Sequence, residues 1–154
     1  MLNLVSGDKA LTLNLRRMGM FKENLLRIKF ILLGFIFIAS SSIYAESITD
    51  ISVQQAKKMI DSKDYGVILD VRTPEEYTGD LGHIEGTILI PVQELKERTG
   101  EIGKYKDAKV LVICHSGVRS RKASDILLQK GFSKVYNITD GMAGWNSQKY
   151  PVKR

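Results

Sequence analysis

Downstream of residue 46, short solid apolar runs alternate with stretches that carry helical spacing. Gly66-Val-Ile-Leu-Asp70-Val-Arg72 predicts a buried strand behind a glycine, and Thr87-Ile-Leu-Ile90 predicts a second, stopped by Pro91. Lys109 to Ile113 and Lys134 to Ile138 predict two more, and a fifth short strand is expected near Ser47 to Asp50. These runs stay apolar instead of alternating with polar residues, as strands covered on both faces do.

The helical segments lie between them. Ser52 followed by Gln55 forms a capping box, and Val53, Ala56, Met59 and Ile60, with Lys57 among them, make a stripe that runs through Asp61. Thr73-Pro74-Glu75-Glu76 reads as a helix start, with proline first and acids in the first turn. A short helix is expected over Val92 to Arg98. Another is expected over Ser120 to Lys130, carrying Ala123, Ile126, Leu127 and Leu128 and closed by Gly131, and a last one begins at Gly141-Met-Ala-Gly-Trp145. The alternation predicts an α/β fold: one domain over residues 46–154, with a mostly parallel four- to five-stranded sheet and helices on both faces. Such sheets place their sites at the carboxyl ends of strands, where Cys114 and Asp70-Val-Arg72 fall.

Residues 1–45 read as an address. Lys22, Arg27 and Lys29 precede the apolar run Phe30 to Ala39, and Ser40-Ser-Ser-Ile-Tyr-Ala45 follows it. A positive flank, a short apolar stretch and a small-residue exit form the pattern of a secretory signal peptide, so a periplasmic or otherwise exported protein is expected, cleaved after Ala45. An uncleaved membrane anchor is the alternative, since Ile43 is bulky for its place before the cleavage point. Met18 and Met20 are each more natural starts for such a leader than Met1.

Charge changes the picture only through its placement. Of the formal net +6, residues 1–45 hold six Lys/Arg against two Asp/Glu, and the remainder is nearly balanced. The basic character belongs mostly to the leader, so no nucleic-acid partner is expected. Arg119, Arg121 and Lys122 form a local cluster beside the chain's single cysteine. That cysteine has no partner for an intramolecular disulfide, and it is either buried and inert or a reactive thiol.

Its surroundings favour reactivity. Lys109-Val-Leu-Val-Ile113 delivers Cys114 to the turn His115-Ser116-Gly117-Val118-Arg119-Ser120, and a helix follows. Backbone N–H groups of His115 to Ser120 can converge on the sulfur, and the helix N-terminus and nearby basic residues add positive potential. A thiol of ordinary pKa ~8.5 is thereby expected to ionise and stand open to reagent. The same cradle binds a small oxyanion. Two histidines, His83 and His115, with one cysteine do not make a metal set.

With these motifs in view, the chain resembles the rhodanese-like sulfurtransferases over about residues 47–150. Asp70-Val-Arg72-Thr-Pro-Glu75-Glu-Tyr77, Gly82-His83-Ile84-Glu-Gly86-Thr-Ile-Leu-Ile90-Pro91, the loop Cys114 to Ser120, and Gly141-Met-Ala-Gly144-Trp145 resemble the family's signatures in order. Thr87 stands where the family commonly has alanine. The resemblance implies the three-layer rhodanese fold and a Cys114 nucleophile. It further implies a substrate site of loop amides from His115, Ser116, Gly117, Val118, Arg119 and Ser120, with no metal or organic cofactor. The implied partners are small sulfur-containing anions such as thiosulfate, with thiol or cyanide acceptors, acting on a monomer.

Four residues separate Cys114 from Arg119, where tyrosine-specific cysteine phosphatases have five, and this ranks phosphatase or arsenate reductase behind sulfur transfer. A persulfide carrier serving a protein partner is the second reading, and an inactive interaction protein the third. Arg119 is expected either on the substrate anion or bracing the loop against a carboxylate, with Asp70 and Glu85 as partners. Ser120 is expected as a hydrogen-bond donor or helix cap, Asp70 and Arg72 as a local ion pair, Arg121 and Lys122 as solvated, and His83 and Trp145 as local packing.

Overall fold

A computed structural model describes residues 47–154. Five parallel strands form one sheet: β1 (Ser47–Ile51), β2 (Val67–Asp70), β3 (Ile88–Leu89), β4 (Lys109–Ile113) and β5 (Lys134–Ile138), in the order β1-β5-β4-β2-β3. The helices are α1 (Val53–Asp61), α2 (Pro74–Tyr77), α3 (Leu95–Arg98), α4 (Val118–Gln129) and α5 (Gly141–Ser147), with a 3-10 segment at Thr99–Tyr105. The leader read from residues 1–45 lies outside the described residues. Among the described residues no helix is long and apolar enough to cross a membrane.

Strand geometry sorts the core into two layers, because successive side chains point to opposite faces. Val67, Leu69, Val110, Val112, Cys114 and Val135 pack with Leu95 of α3, Ile102 of the 3-10 segment, and Ala123 and Leu127 of α4. Ile68, Leu111, Ile113 and Ile138 pack on the other face with Val53 and Ala56 of α1 and Met142 and Trp145 of α5. Each interior strand therefore needs apolar residues on both faces, which is why the runs in the sequence are solid.

Local signals set several boundaries. Ser52 and Gln55 close the capping box of α1, and Thr73 and Glu76 close a second one on α2 with Pro74 in its first turn. Other elements differ from expectation. β2 stops at Asp70, whose carboxylate turns to Arg72, and β3 shrinks to Ile88–Leu89 at the sheet edge before Pro91. The helix expected over Val92 to Arg98 is confined to Leu95–Arg98, behind a turn in which the Glu94 amide donates to the Pro91 carbonyl. The 3-10 segment was not foreseen, since Gly100 and Gly103 obscure its periodicity while Ile102 is buried in the core. The helix expected from Ser120 starts at Val118, because Gly117 caps it with φ +94°.

Candidate active site

Central strand β4 ends at Ile113, and the next residue is Cys114, aimed into the α4 layer and 1% exposed. The chain then reverses into α4 within three residues. Gly117 makes this possible twice over: its left-handed φ suits glycine, and a Cβ there would collide with the Thr139 carbonyl. The loop is held from the α5 side, where the Met142 amide donates to the Cys114 carbonyl (2.8 Å) and the Ala143 amide to the His115 carbonyl (2.9 Å). Gly141, with φ +56°, permits this approach, since a Cβ would strike those same carbonyls.

The Gly117 amide donates to Cys114 Sγ at 3.1 Å. Burial pushes the thiol pKa up, but hydrogen bonds from the Ser120 hydroxyl and from the amides of Ser120, Ser116 and Gly117 outweigh it and hold the pKa below its ordinary value. The expected six-residue cradle thus acts on the sulfur through Ser116, Gly117 and Ser120. His115, Ser116 and Val118 are exposed at the mouth, with Val118 at 76%. The expected openness of the thiol is corrected: Cys114 continues the buried register of β4, so any reagent must enter past these residues.

Arg119 is a brace with a partner that sequence reasoning missed. Its guanidinium meets the Glu76 carboxylate at two points, Nη1 to Oε2 and Nη2 to Oε1, each 2.6 Å. The hydrogen bond from Arg119 pulls the Glu76 pKa down to about 2 despite partial desolvation. The two carboxylates expected for Arg119 are engaged elsewhere: Asp70 with Arg72, and Glu85 with Lys153 at 3.2 Å. The signal lay in Thr73-Pro74, because the capping box turns Glu76 inward and the Thr73 amide donates to the same Oε2 at 3.2 Å.

Asp70 and Arg72 form the expected local pair, fully buried. Arg72 Nη2 donates to Asp70 Oδ2 and to the Gly82 carbonyl, both at 2.7 Å, and Nη1 donates to the Glu76 carbonyl at 3.1 Å. This pair ties the end of β2 to α2 and to the turn after it. Ser120 does not cap α4: it sits buried in the first turn, its hydroxyl 2.6 Å from Asn137 Oδ1 and 3.0 Å from the Gly117 carbonyl. Arg121, expected to be solvated, pairs with Asp50 at 3.1 Å with both side chains half exposed, and Lys122 is exposed. His83 stacks on Tyr77 with ring centroids 3.8 Å apart, and Trp145 Nε1 donates to the Pro151 carbonyl at 3.0 Å. A separate groove of about 250 Å³, lined by residues including Lys57, Ile84, Trp145 and Val152, has none of the loop residues in its wall. Among the described residues no group of three or more His, Cys, Asp or Glu side chains could hold a metal ion.

Residues 52–148 match the family model described as Rhodanese-like domain. Over 108 residues, 70% of this chain, the protein is 39% identical to "Putative sulfur carrier protein YrkF" of Bacillus subtilis, and it spans 56% of that relative's length. Thiosulfate sulfurtransferase 18 of Arabidopsis thaliana is 32% identical over 126 residues, covering 73% of this chain and 89% of the relative. Among solved structures, a rhodanese-related protein of Thermoplasma volcanium aligns with a TM-score of 0.58 at 34% identity, covering 67% of this chain and 95% of that one.

Proposed function

Because the chain belongs to the rhodanese-like sulfurtransferase family, we propose that it moves a sulfane sulfur from thiosulfate, or a related donor, to a thiol or cyanide acceptor through a persulfide on Cys114. The observation that carries this reading is the placement of the sulfur at the end of β4 with the Gly117 amide donating to it at 3.1 Å. A cysteine buried as inert packing has its pKa raised, whereas here Ser116, Gly117 and Ser120 hold it down against burial.

In the first displacement the Cys114 thiolate attacks the outer sulfur of thiosulfate. The donor S–S bond breaks, sulfite leaves with the bonding pair, and a new S–S bond joins that sulfur to Cys114. The loop amides stabilise the negative charge on the persulfide. In the second displacement a nucleophilic acceptor takes the outer sulfur, and the thiolate returns, which gives ping-pong kinetics. Arg119 stabilises the loop through Glu76 in this scheme, leaving the anion to the amides. An exported location belongs to the same proposal and rests on the Phe30 to Ala45 pattern. Amino-terminal sequencing of protein recovered from the cell envelope tests it, and an intact Met1, Met18 or Met20 terminus in the cytosol overturns it.

A second reading, a persulfide carrier that hands sulfur to a protein partner, draws support from the mouth of the site. Val118 is exposed there, while Arg119 and Arg121, two of the three basic residues of the cluster, are engaged with carboxylates and so less available to a dianionic donor. Incubating the purified full chain with thiosulfate and measuring intact mass tests the shared step. The gain of one sulfur atom, lost in Cys114→Ser, is the expected result; no gain by a reduced thiol overturns both readings. Rapid discharge to cyanide then marks the enzyme, and a long-lived loaded form marks the carrier.

A further inference from the structure

The charge of the folded part is nearly balanced in number but not in place. Residues 47–154 carry seventeen Lys and Arg against fourteen Asp and Glu. Segments 62–66, 104–109 and 130–134, which lead into β2, β4 and β5, carry six lysines (Lys63, Lys104, Lys106, Lys109, Lys130 and Lys134) against Asp64 and Asp107. The whole positive excess is therefore held by three short segments. Parallel strands bring them to one end of the sheet, because each crossover returns the chain to the end where the strands begin.

Hydrogen bonds stitch the three segments together. The Gly66 amide donates to the Lys109 carbonyl and the Ser133 amide to the Lys106 carbonyl, each at 2.9 Å. Lys109 and Lys134 are neighbours in register on β4 and β5. Lys106 Nζ would lie 3.9 Å from a Cβ at Gly131, the residue after Lys130. Lys109 takes up Asp64 at 2.6 Å. Lys63, Lys106, Lys130 and Lys134 are exposed, and no carboxylate among the described residues lies within ion-pair distance of them. Such a face attracts an extended anionic surface.

The chemistry of the face and the path of the chain say which surface. All six cations are lysines. An ammonium on a flexible stem suits a diffuse field of headgroups, whereas bidentate capture of a single phosphate calls for arginine. β1 also begins at this end, with Ser47 opposite Lys134, and the sequence that runs into it is the apolar stretch Phe30 to Ala45. The chain thus enters the domain at its lysine end. We propose that this lysine face docks on an anionic phospholipid surface. The Cys114 loop lies at the other end of β4, five residues or about 17 Å away, and so faces water in the docked state. No residue of that loop belongs to the face, so the inference stands apart from sulfur transfer.

Amine acetylation of the full chain, read residue by residue by peptide mass, tests the docking. Protection is the labelling rate without vesicles divided by the rate with them. With phosphatidylglycerol vesicles at low salt, Lys106, Lys130 and Lys134 are expected to be protected at least about fivefold, and Lys122, exposed beside the cysteine loop, not at all. Phosphatidylcholine vesicles meet the same leader and are expected to protect none of the four. High salt is expected to remove the protection. Lys106→Gln combined with Lys134→Gln is expected to abolish protection of Lys130. Lys96→Gln combined with Lys122→Gln, an equal change in net charge at exposed positions off the face, is expected to leave it. Absent protection, equal protection at Lys122, equal protection by phosphatidylcholine, or an equal loss in the two double variants overturns the proposal. So does equal protection by duplex DNA or by inorganic phosphate at the same ionic strength, which would assign the face to nucleic acid or to a free anion.

Discussion

The two flanks of the cysteine loop are built on the same plan and at opposite depths. Toward β2, Arg72 and Asp70 pair with no exposure, and Arg119 and Glu76 pair half-buried through two 2.6 Å contacts. Toward β1, Arg121 and Asp50 pair at 3.1 Å in solvent, and the connection to the loop runs inward through Asn137 and Ser120. On the first flank charge fixes the backbone. On the second, neutral hydrogen bonds do so, and charge only orients them. Burial separates these roles, since a pair removed from water must be satisfied throughout while an exposed pair is screened.

Breaking the deepest pair has the largest expected effect. Arg72→Ala strands a buried Asp70 carboxylate and removes the donors to the Gly82 and Glu76 carbonyls. It is expected to cost on the order of 3–5 kcal/mol in urea unfolding. A loss below about 1 kcal/mol would show that this flank is no deeper in energy than the other.

Glu76→Gln is expected to cost about 1–2 kcal/mol at neutral pH, allowing for its partial exposure. The pH dependence sharpens the point. Folding holds the Glu76 pKa down, from 4.5 to about 2, so its contribution is fully present above pH 4.5 and is lost as pH falls toward about 2. The gap in melting temperature between the wild-type protein and Glu76→Gln should therefore close across that window. A gap that stays constant through it would detach Glu76 from the brace.

Arg121→Ala marks the shallow limit. Its pair is half exposed on both sides, and its removal is expected to change stability by less than about 1 kcal/mol, with any difference fading at high salt. A larger, salt-resistant loss would make the two flanks alike.

What the sequence made legible was whatever is encoded locally. β4 and β5 run over the residues expected of them because apolar runs bounded by charge and glycine are complete signals in themselves. The Ser52–Gln55 capping box likewise needs only four neighbouring residues. The loop after Cys114 was visible as a turn, and Gly117 named its tightest point. The partners were not visible. Glu76 lies 43 residues from Arg119, and Asp50 lies 87 from Asn137; only the parallel crossovers of the sheet bring them together. Arg119 was recognisable as a brace, but the choice among Asp70, Glu85 and Glu76 depends on how α2 lies against α4. The burial of Cys114 was missed for a related reason, since the register of β4 carries the thiol inward whatever the loop does afterwards.

The clamp from α5 has a consequence for the order in which the protein becomes competent during synthesis. The cysteine and its turn leave the ribosome well before Gly141, Met142 and Ala143, whose contacts hold the loop carbonyls. β1, made early, cannot pair until β5 has emerged. The thiol is therefore carried on a nascent chain whose cradle is still unfinished. Competence arrives with the last helix, at nearly the same moment as the sheet gains its final strand.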